Sequence, residues 1–426
     1  MNIGIIGAGV TGLTAAYDLA KAGHDVTVSE ARPYVGGLAA GFKDERWDWH
    51  LERFYHHIFA SDKEIINFVE ELGLEDTLFF PRPMTSIYHQ GDLYPLDSPL
   101  RVLQFEPLPF FDRVRFGAVA AFLRFNPFWR PLERVTAHDW LRTALGERAY
   151  EILWQPLLEG KFGTYYQQVN MAWFWARIVK RTARLGYFKG GFQRFLDALA
   201  DKAREQGAEI KLEHHVRGVH PQPDGRIQLE LRAGDQTHDR VLATCSPSML
   251  KARTPTLPDA YTADLEELKS MGAVVMVLAL KESVTDEHYW INIPKREGFP
   301  FLAFVEHTNY VDKKHYAGDT LVYCGDYLAP DHAYFEMEPE ALLDRFIPGI
   351  QRINPRFHRD WIRRYWKFSE IYAQPVPFVN HSEKIPPLQT PIPNLFMANM
   401  SQVYPWDRGT NYAVAIGREA AERLLL

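Results

Sequence analysis

Cysteine is nearly absent from this chain: there are two in 426 residues, Cys245 and Cys324, in neither a CxxC pair nor a metal-ligand spacing. That argues against a disulfide framework or a structural metal and fits a reducing, cytoplasmic setting. An excess of basic charge is also missing. The formal net charge is -6, which gives no overall cationic footprint for nucleic acid. No apolar run reaches the roughly 18 to 20 residues that span a bilayer. The nearest, residues 116–123, is bracketed by Arg115 and Arg124; its first reading is a buried or pocket-lining helix, its second a monotopic element dipping into a membrane surface. The first predicted strand begins almost at Met1, so no signal or transit segment is expected. No internal repeat or low-complexity linker is visible.

With 46% hydrophobic and 24% charged residues, the chain reads as an ordered globular protein, long enough for two domains. The 11 Trp, 20 Tyr and 27 Phe supply a generous core and suit a large planar or apolar ligand.

The most informative stretch is the first. A short apolar run meets Gly7-Ala8-Gly9-Val10-Thr11-Gly12, and an alanine-rich helical pattern follows through Ala22. In this strand, turn and helix, Gly7 allows the sharp turn, Gly9 lets backbone amides approach a pyrophosphate, and Gly12 lets helix and strand pack closely. Gly23 ends the helix, and Asp25-Val26-Thr27-Val28-Ser29 reads as a second strand leading to Glu30, an acid placed to accept from ribose hydroxyls.

Glu30-Ala31-Arg32, followed by Gly36-Gly37-Leu38, resembles the second fingerprint of the FAD-dependent amine oxidase superfamily. That superfamily includes protoporphyrinogen oxidases, phytoene-type desaturases and UDP-galactopyranose mutases. The resemblance implies an α/β protein with a Rossmann-type FAD-binding domain and an inserted α+β substrate domain holding a mixed or antiparallel sheet. The expected division is 1–82, 188–270 and 385–426 for FAD, and 83–187 and 271–384 for substrate.

Further along, His57-Ile58-Phe59 resembles a triplet that the mutases set against the flavin, with Tyr55 and His56 beside it. Ser61 and Glu64 suggest a capping box for a helix with apolar positions at Ile65, Ile66, Phe68, Val69 and Leu72, closed by Gly73. Lys189-Gly190-Gly191 marks the re-entry into the cofactor domain. Val216 is expected by the adenine end and Thr244 beneath the cofactor.

Asn399-Met400 stands where the superfamily carries Gly-Asp, while Arg408-Gly409-Thr410-Asn411 opens a final helix whose amides would face the flavin ring. Glu306 and His307, at a strand end, are the acid/base candidates with His57. Tyr55, His56, Asn309, Tyr372, Tyr404 and Trp406 are the expected pocket residues. Arginine clusters, including Arg177, Lys180, Arg181 and Arg184, suit either an anion or a solvated face.

The resulting expectation is an FAD-dependent oxidoreductase that passes a hydride from an organic substrate, lipophilic or anionic, to non-covalent FAD, with no metal. The alternatives are a reduced-flavin mutase acting on a nucleotide sugar and a non-catalytic lipid-escort protein. A peripheral membrane contact is compatible with each; substrate identity and oligomeric state stay open.

Overall fold

In the computed structural model, which describes residues 1–426, the opening motif folds as its glycines require. Strand Asn2–Ile6 ends at Gly7, which turns at φ +102°, and helix Val10–Lys21 begins at Gly9. A Cβ on Gly12 would lie 2.1 Å from the Gly7 carbonyl oxygen, so only glycine permits this approach of helix to turn. Strand Asp25–Ser29 then pairs with Asn2–Ile6 in parallel, Ile3 opposite Val26 and Ile5 opposite Val28.

Three later segments complete a five-stranded parallel sheet, in the order Glu209–Lys211, Asp25–Ser29, Asn2–Ile6, Arg240–Ala243 and Leu395–Met397. Its three central strands carry buried Ile3, Ile5, Val26, Val28, Val241 and Leu242, as a parallel sheet covered on both faces requires. Helix Thr410–Leu425 packs so closely on the first helix that a Cβ on Gly417 would come within 2.7 Å of the Thr11 carbonyl oxygen. A small antiparallel sheet, Val216–Pro221, Ile227–Leu231 and Gln236–His238, turns at Gly225 (φ +86°).

The other domain is built on a seven-stranded sheet, in the order Ile362–Pro375, Ser270–Leu280, Thr320–Leu328, Ala303–Glu306, His288–Asn292, Met84–His89 and Asp92–Pro95. It is mixed, because Met84–His89 runs parallel to His288–Asn292 while the other pairs are antiparallel. Strand Ser270–Leu280 is buried on both sides: Val275, Val277 and Ala279 join the core of the nucleotide fold. Val274, Met276 and Leu278 pack instead with Leu342, Phe346 and Ile350 of helix Pro339–Ile353. The period-two alternation therefore welds the two domains through one sheet.

Two expectations are corrected. Ser61 is not a helix cap: its hydroxyl donates to the Lys180 carbonyl, and helix Lys63–Glu71 starts after Asp62, whose carboxylate accepts from the Phe59 N–H. The apolar run 116–123 is not a buried helix. It belongs to helix Phe110–Phe125, in which Leu123 alone is buried.

Candidate active site

The cofactor cradle is assembled from two glycine-bearing turns, the one at Gly7 to Gly12 and the one at Gly36-Gly37. Gly36 (φ +119°) donates its N–H to the Ala8 carbonyl at 2.8 Å, which lays the second fingerprint against the first. A Cβ on Gly37 would approach the Gly9 Cα to 3.3 Å, and one on Gly36 would meet Leu196 at 2.5 Å. No side chain caps the first turn of helix Val10–Lys21. A groove closed to side chains and ending at an uncapped helix N-terminus fits a dinucleotide pyrophosphate.

Glu30 is held by both fingerprints, accepting from Ala8 N and Arg32 N at 2.8 Å each, while Ala31 and Arg32 stay exposed. Thr244 donates to the Ile6 carbonyl (2.8 Å), and Val216 is buried with Ile6 and Ala243. Asn399 holds a turn: it caps Met400–Gln402, donates to the Cys245 carbonyl and accepts from the Tyr372 hydroxyl at 3.0 Å.

Between the domains lies a cavity of about 200 Å³, walled on one side by Tyr55, His56, His57 and Phe59, and on another by Arg408, Gly409, Thr410 and Asn411 at the start of the last helix. Trp290 and Asn292 of the mixed sheet also face it. Ile58 turns away into the core, and its strand pairs with Leu185–Phe188.

Burial pushes the His57 imidazole down to about 3, helped by Arg181, His56 and Arg177, and the His56 ring down to about 4. Both rings are therefore neutral at physiological pH. His56 Nδ1 lies 2.5 Å from the Phe54 carbonyl, whereas His57 Nδ1 is buried with no hydrogen-bond partner.

The remaining wall is cationic. Lys161, Arg177, Lys180, Arg181 and Arg408 face the cavity with two carboxylates, Asp62 and Asp407. Asp407 is tightly held: its Oδ2 lies 2.6 Å from Arg177 and 3.9 Å from Lys161, and its Oδ1 accepts from Trp173 Nε1 at 3.1 Å. Burial alone would raise this carboxyl, but Lys161, Arg177 and Arg408 outweigh burial and hold it well below the usual carboxylate range.

Lys161 is itself shifted down by burial, with Asp407 opposing, and donates to Gln374 Oε1 at 2.9 Å. Burial pushes the Asp62 carboxyl up to about 6. Arg408 donates to the Tyr327 hydroxyl, yet its Nε is buried without a partner. Lys180 and Arg181 have no carboxylate partner; Lys180 sits 4.4 Å over the Trp406 ring. A larger, more open hollow of about 740 Å³, lined by His89, Asp92, Glu106 and Arg148 among others, is not reached by any element of the parallel sheet.

The sequence profile of flavin-containing amine oxidoreductases matches residues 10–425. The chain belongs to that family. It is an FAD-dependent oxidoreductase by family, and its cradle fits the cofactor. Among curated relatives, 15-cis-phytoene desaturase of Synechococcus elongatus is 29% identical over 157 residues, and the match spans a third (33%) of each chain.

The fold is shared with a protein provisionally assigned as a protoporphyrinogen oxidase from Exiguobacterium sp. 255-15, at TM-score 0.79 and 19% identity over 99% of this chain and 98% of that one. It is also shared with reduced UDP-galactopyranose mutase, at TM-score 0.76 and 17% identity over 100% and 95% of the two chains.

Within this amine oxidoreductase fold, several expected site residues lie outside the cavity. The Glu306 carboxylate is buried and accepts from Thr285 N (2.7 Å), Thr285 Oγ1 (2.8 Å) and the Ser283 hydroxyl. Every one of those bonds fixes a loop, which corrects the acid/base assignment. His307 is also displaced from that role. Its Nε2 meets the Tyr316 hydroxyl at 3.0 Å inside a box of Tyr187, Tyr310 and Tyr323, and burial pushes it down to about 3.

Asn309 is tied to Thr285 and to the His288 carbonyl. Tyr372 bonds Ser401 (2.7 Å) behind the cofactor turn, and Tyr404 packs on Trp129 and His381. Trp406 stacks between Trp175 and Tyr412 and backs the wall rather than forming it. Sequence reasoning missed Lys161, Asp407, Tyr327 and Trp290. The available signal was a lysine in the apolar context Leu157-Leu158-Glu159-Gly160-Lys161-Phe162, where a solvated charge is out of place.

Proposed function

We propose that the protein oxidises an organic substrate bearing a carboxylate or phosphate group, with non-covalent FAD as the acceptor. The observation that carries this reading is the surplus of cations over carboxylates in the cavity. Asp407 is already matched by Arg177 and Lys161, so Lys180, Arg181 and the unpartnered Arg408 Nε remain for an incoming anion. Bound FAD supplies the hydride acceptor at N5.

The chain's own residues set the conditions for that transfer. The Arg181 and Arg408 guanidinium groups orient the anionic end, and Tyr55, Phe59 and Trp290 add aromatic surface to the same cavity. His57, neutral, offers a hydrogen bond rather than an acidic proton. The start of helix Thr410–Leu425 presents its positive end to the cavity, which favours negative charge there. Asp62 is the cavity carboxylate that titrates near neutrality and takes the proton-accepting role first expected of Glu306. Neither cysteine lines the cavity, and burial pushes Cys245 up to about 12, which supports a flavin held without a thioether link.

The test is anaerobic flavin reduction by matched pairs of amine, alcohol and unsaturated substrates with and without a carboxylate. The acidic member of a pair should be preferred. Arg181→Met and Arg408→Met should each raise its KM about tenfold to hundredfold, the loss of one charged hydrogen bond, and leave the neutral member unchanged. Equal reduction by both members would overturn the reading. The same cations favour one second reading, a nucleotide-sugar diphosphate handled as in the mutase. Turnover of UDP-galactose by the chemically reduced protein would select it.

A further inference from the structure

We infer that helix Phe110–Phe125 and its flanks form a docking face for the surface of an anionic lipid bilayer. The helix is apolar on two faces: Phe116, Val119 and Leu123 pack inward against the core, and a second apolar row is turned out, held in place by arginines at the surface. Arg113 donates to the Leu108 and Leu103 carbonyls at 2.6 and 2.8 Å. Arg115 donates to the carbonyls of Ala144 and Thr143 at 2.7 Å each, and Arg124 to those of Ile178 (2.9 Å), Val179 and Arg181 (3.1 Å). The last two arginines thus close the C-terminal ends of helices Ala137–Leu145 and Met171–Lys180.

Phe111, Val114, Ala118, Phe122 and Phe125 are exposed at helical spacing, with the exposed Arg115 and Arg124 flanking the row. Phe111 and Phe125 are each 83% exposed, and Phe128 on the following loop 72%. Leu100, Leu103 and Phe110 extend the same exposed segment. Elsewhere large exposed apolar side chains occur singly, apart from the last two residues, Leu425 and Leu426, so this patch stands apart from ordinary surface.

The charge around the patch selects the occupant. Arg101, Arg113, Arg115, Arg124, Arg130 and Arg134 stand against Glu106, Asp112 and Glu133, a positive segment in a chain of net charge -6. Arg101, Arg130 and Arg134 are exposed beside the phenylalanines. In a symmetric pairing with a second copy those arginines would face their own equivalents across the contact, which is unfavourable. Anionic headgroups would neutralise them while the phenylalanines enter the acyl boundary. The helix has 16 residues, and no helix is long and apolar enough to cross a membrane, so it lies in the plane of the surface. The docked face and the cavity wall share helix Met171–Lys180, whose end Arg124 holds.

Flotation of the purified full-length flavoprotein with phosphatidylcholine vesicles, with and without a minority of phosphatidylglycerol, tests this. Wild type should float with the anionic vesicles and less with the neutral ones. The triple variant Phe111→Ser, Phe122→Ser, Phe125→Ser should lose at least about tenfold in bound fraction, with the flavin spectrum and melting temperature unchanged. The single variant Phe128→Ser should fall between them, and it guards against misfolding of the triple. Wild type that binds neither vesicle, a triple variant that floats as well as wild type, or a dimer dissolved by the triple variant without any vesicle binding would each overturn the proposal.

Discussion

Replacing Glu52 by Gln should remove a pH-dependent weakness built into the junction of the two domains. Glu52 is fully enclosed and accepts from Phe192 N at 2.7 Å and from the Tyr187 hydroxyl at 2.8 Å, while its carbonyl accepts from the Tyr323 hydroxyl at 2.8 Å. It therefore joins the re-entry turn at Gly191 to the mixed sheet. Burial raises its carboxyl from 4.5 to about 7, against those two hydrogen bonds. A carboxyl raised in the fold contributes fully to stability below about pH 4.5, where folded and unfolded chains are both protonated. Above that the unfolded chain ionises first, and the contribution is lost progressively until pH passes about 7. The loss is about 3 kcal/mol, at about 1.4 kcal/mol per pH unit.

Glutamine keeps an acceptor for Phe192 N and has no charge to develop. Urea unfolding of wild type and Glu52→Gln at pH 4.5, 6 and 8 should show similar stabilities at the lowest pH. The variant should be more stable by about 3 kcal/mol at the highest. Parallel curves across the range would mean that the carboxylate is ionised in the folded protein and that its hydrogen bonds outweigh burial, refuting the reasoning.

Three further outcomes follow from the cradle and the cavity. Gly12→Ala forces a Cβ to 2.1 Å from the Gly7 carbonyl oxygen, a backbone clash that no rotamer relieves; the protein should purify without flavin bands and bind added FAD at least about a hundredfold more weakly in a fluorescence titration, a loss on the scale of overpacking. Asp407→Asn removes the carboxylate beside Arg177 and Lys161 and should cost about 3 to 5 kcal/mol in denaturant unfolding, the penalty of leaving buried charge unmatched; a loss below about 1 kcal/mol, the size of a surface pair, would show that the cluster is solvated. If Asp62 accepts the proton, flavin reduction should rise with pH through about 6, because only the ionised carboxylate is a base, and Asp62→Asn should flatten that limb while His57→Asn leaves its position unchanged.

The parallel-sheet domain was legible in the sequence because its constraints are local. Gly7 and Gly12 restrict each other across five positions, and Glu30 reaches back to Ala8 N, so motif and geometry carry the same information. The cavity lacked that advantage. Lys161, Trp173, Arg177, Gln374 and Asp407 meet around one carboxylate from three distant segments, and apart from Lys161 in its apolar context none of them stands out in the sequence.

Glu306 failed for a different reason. Period-two parity places it on the Phe304 side of its strand, and that side packs on helix Pro339–Ile353, whereas Val305 joins the core shared with the nucleotide fold. A strand's alternation separates its two faces but does not say which one meets the cofactor. Helix Phe110–Phe125 presented the same ambiguity in helical form. Its apolar residues are plain in the sequence, but which of them pack inward is not: Phe116, Val119 and Leu123 do, against a core of distant segments, while Arg115 and Arg124 fasten it to the ends of two other helices. Where both faces of an element are chemically plausible as the inner one, the segments that pack against it fix the orientation, and those are supplied by tertiary structure.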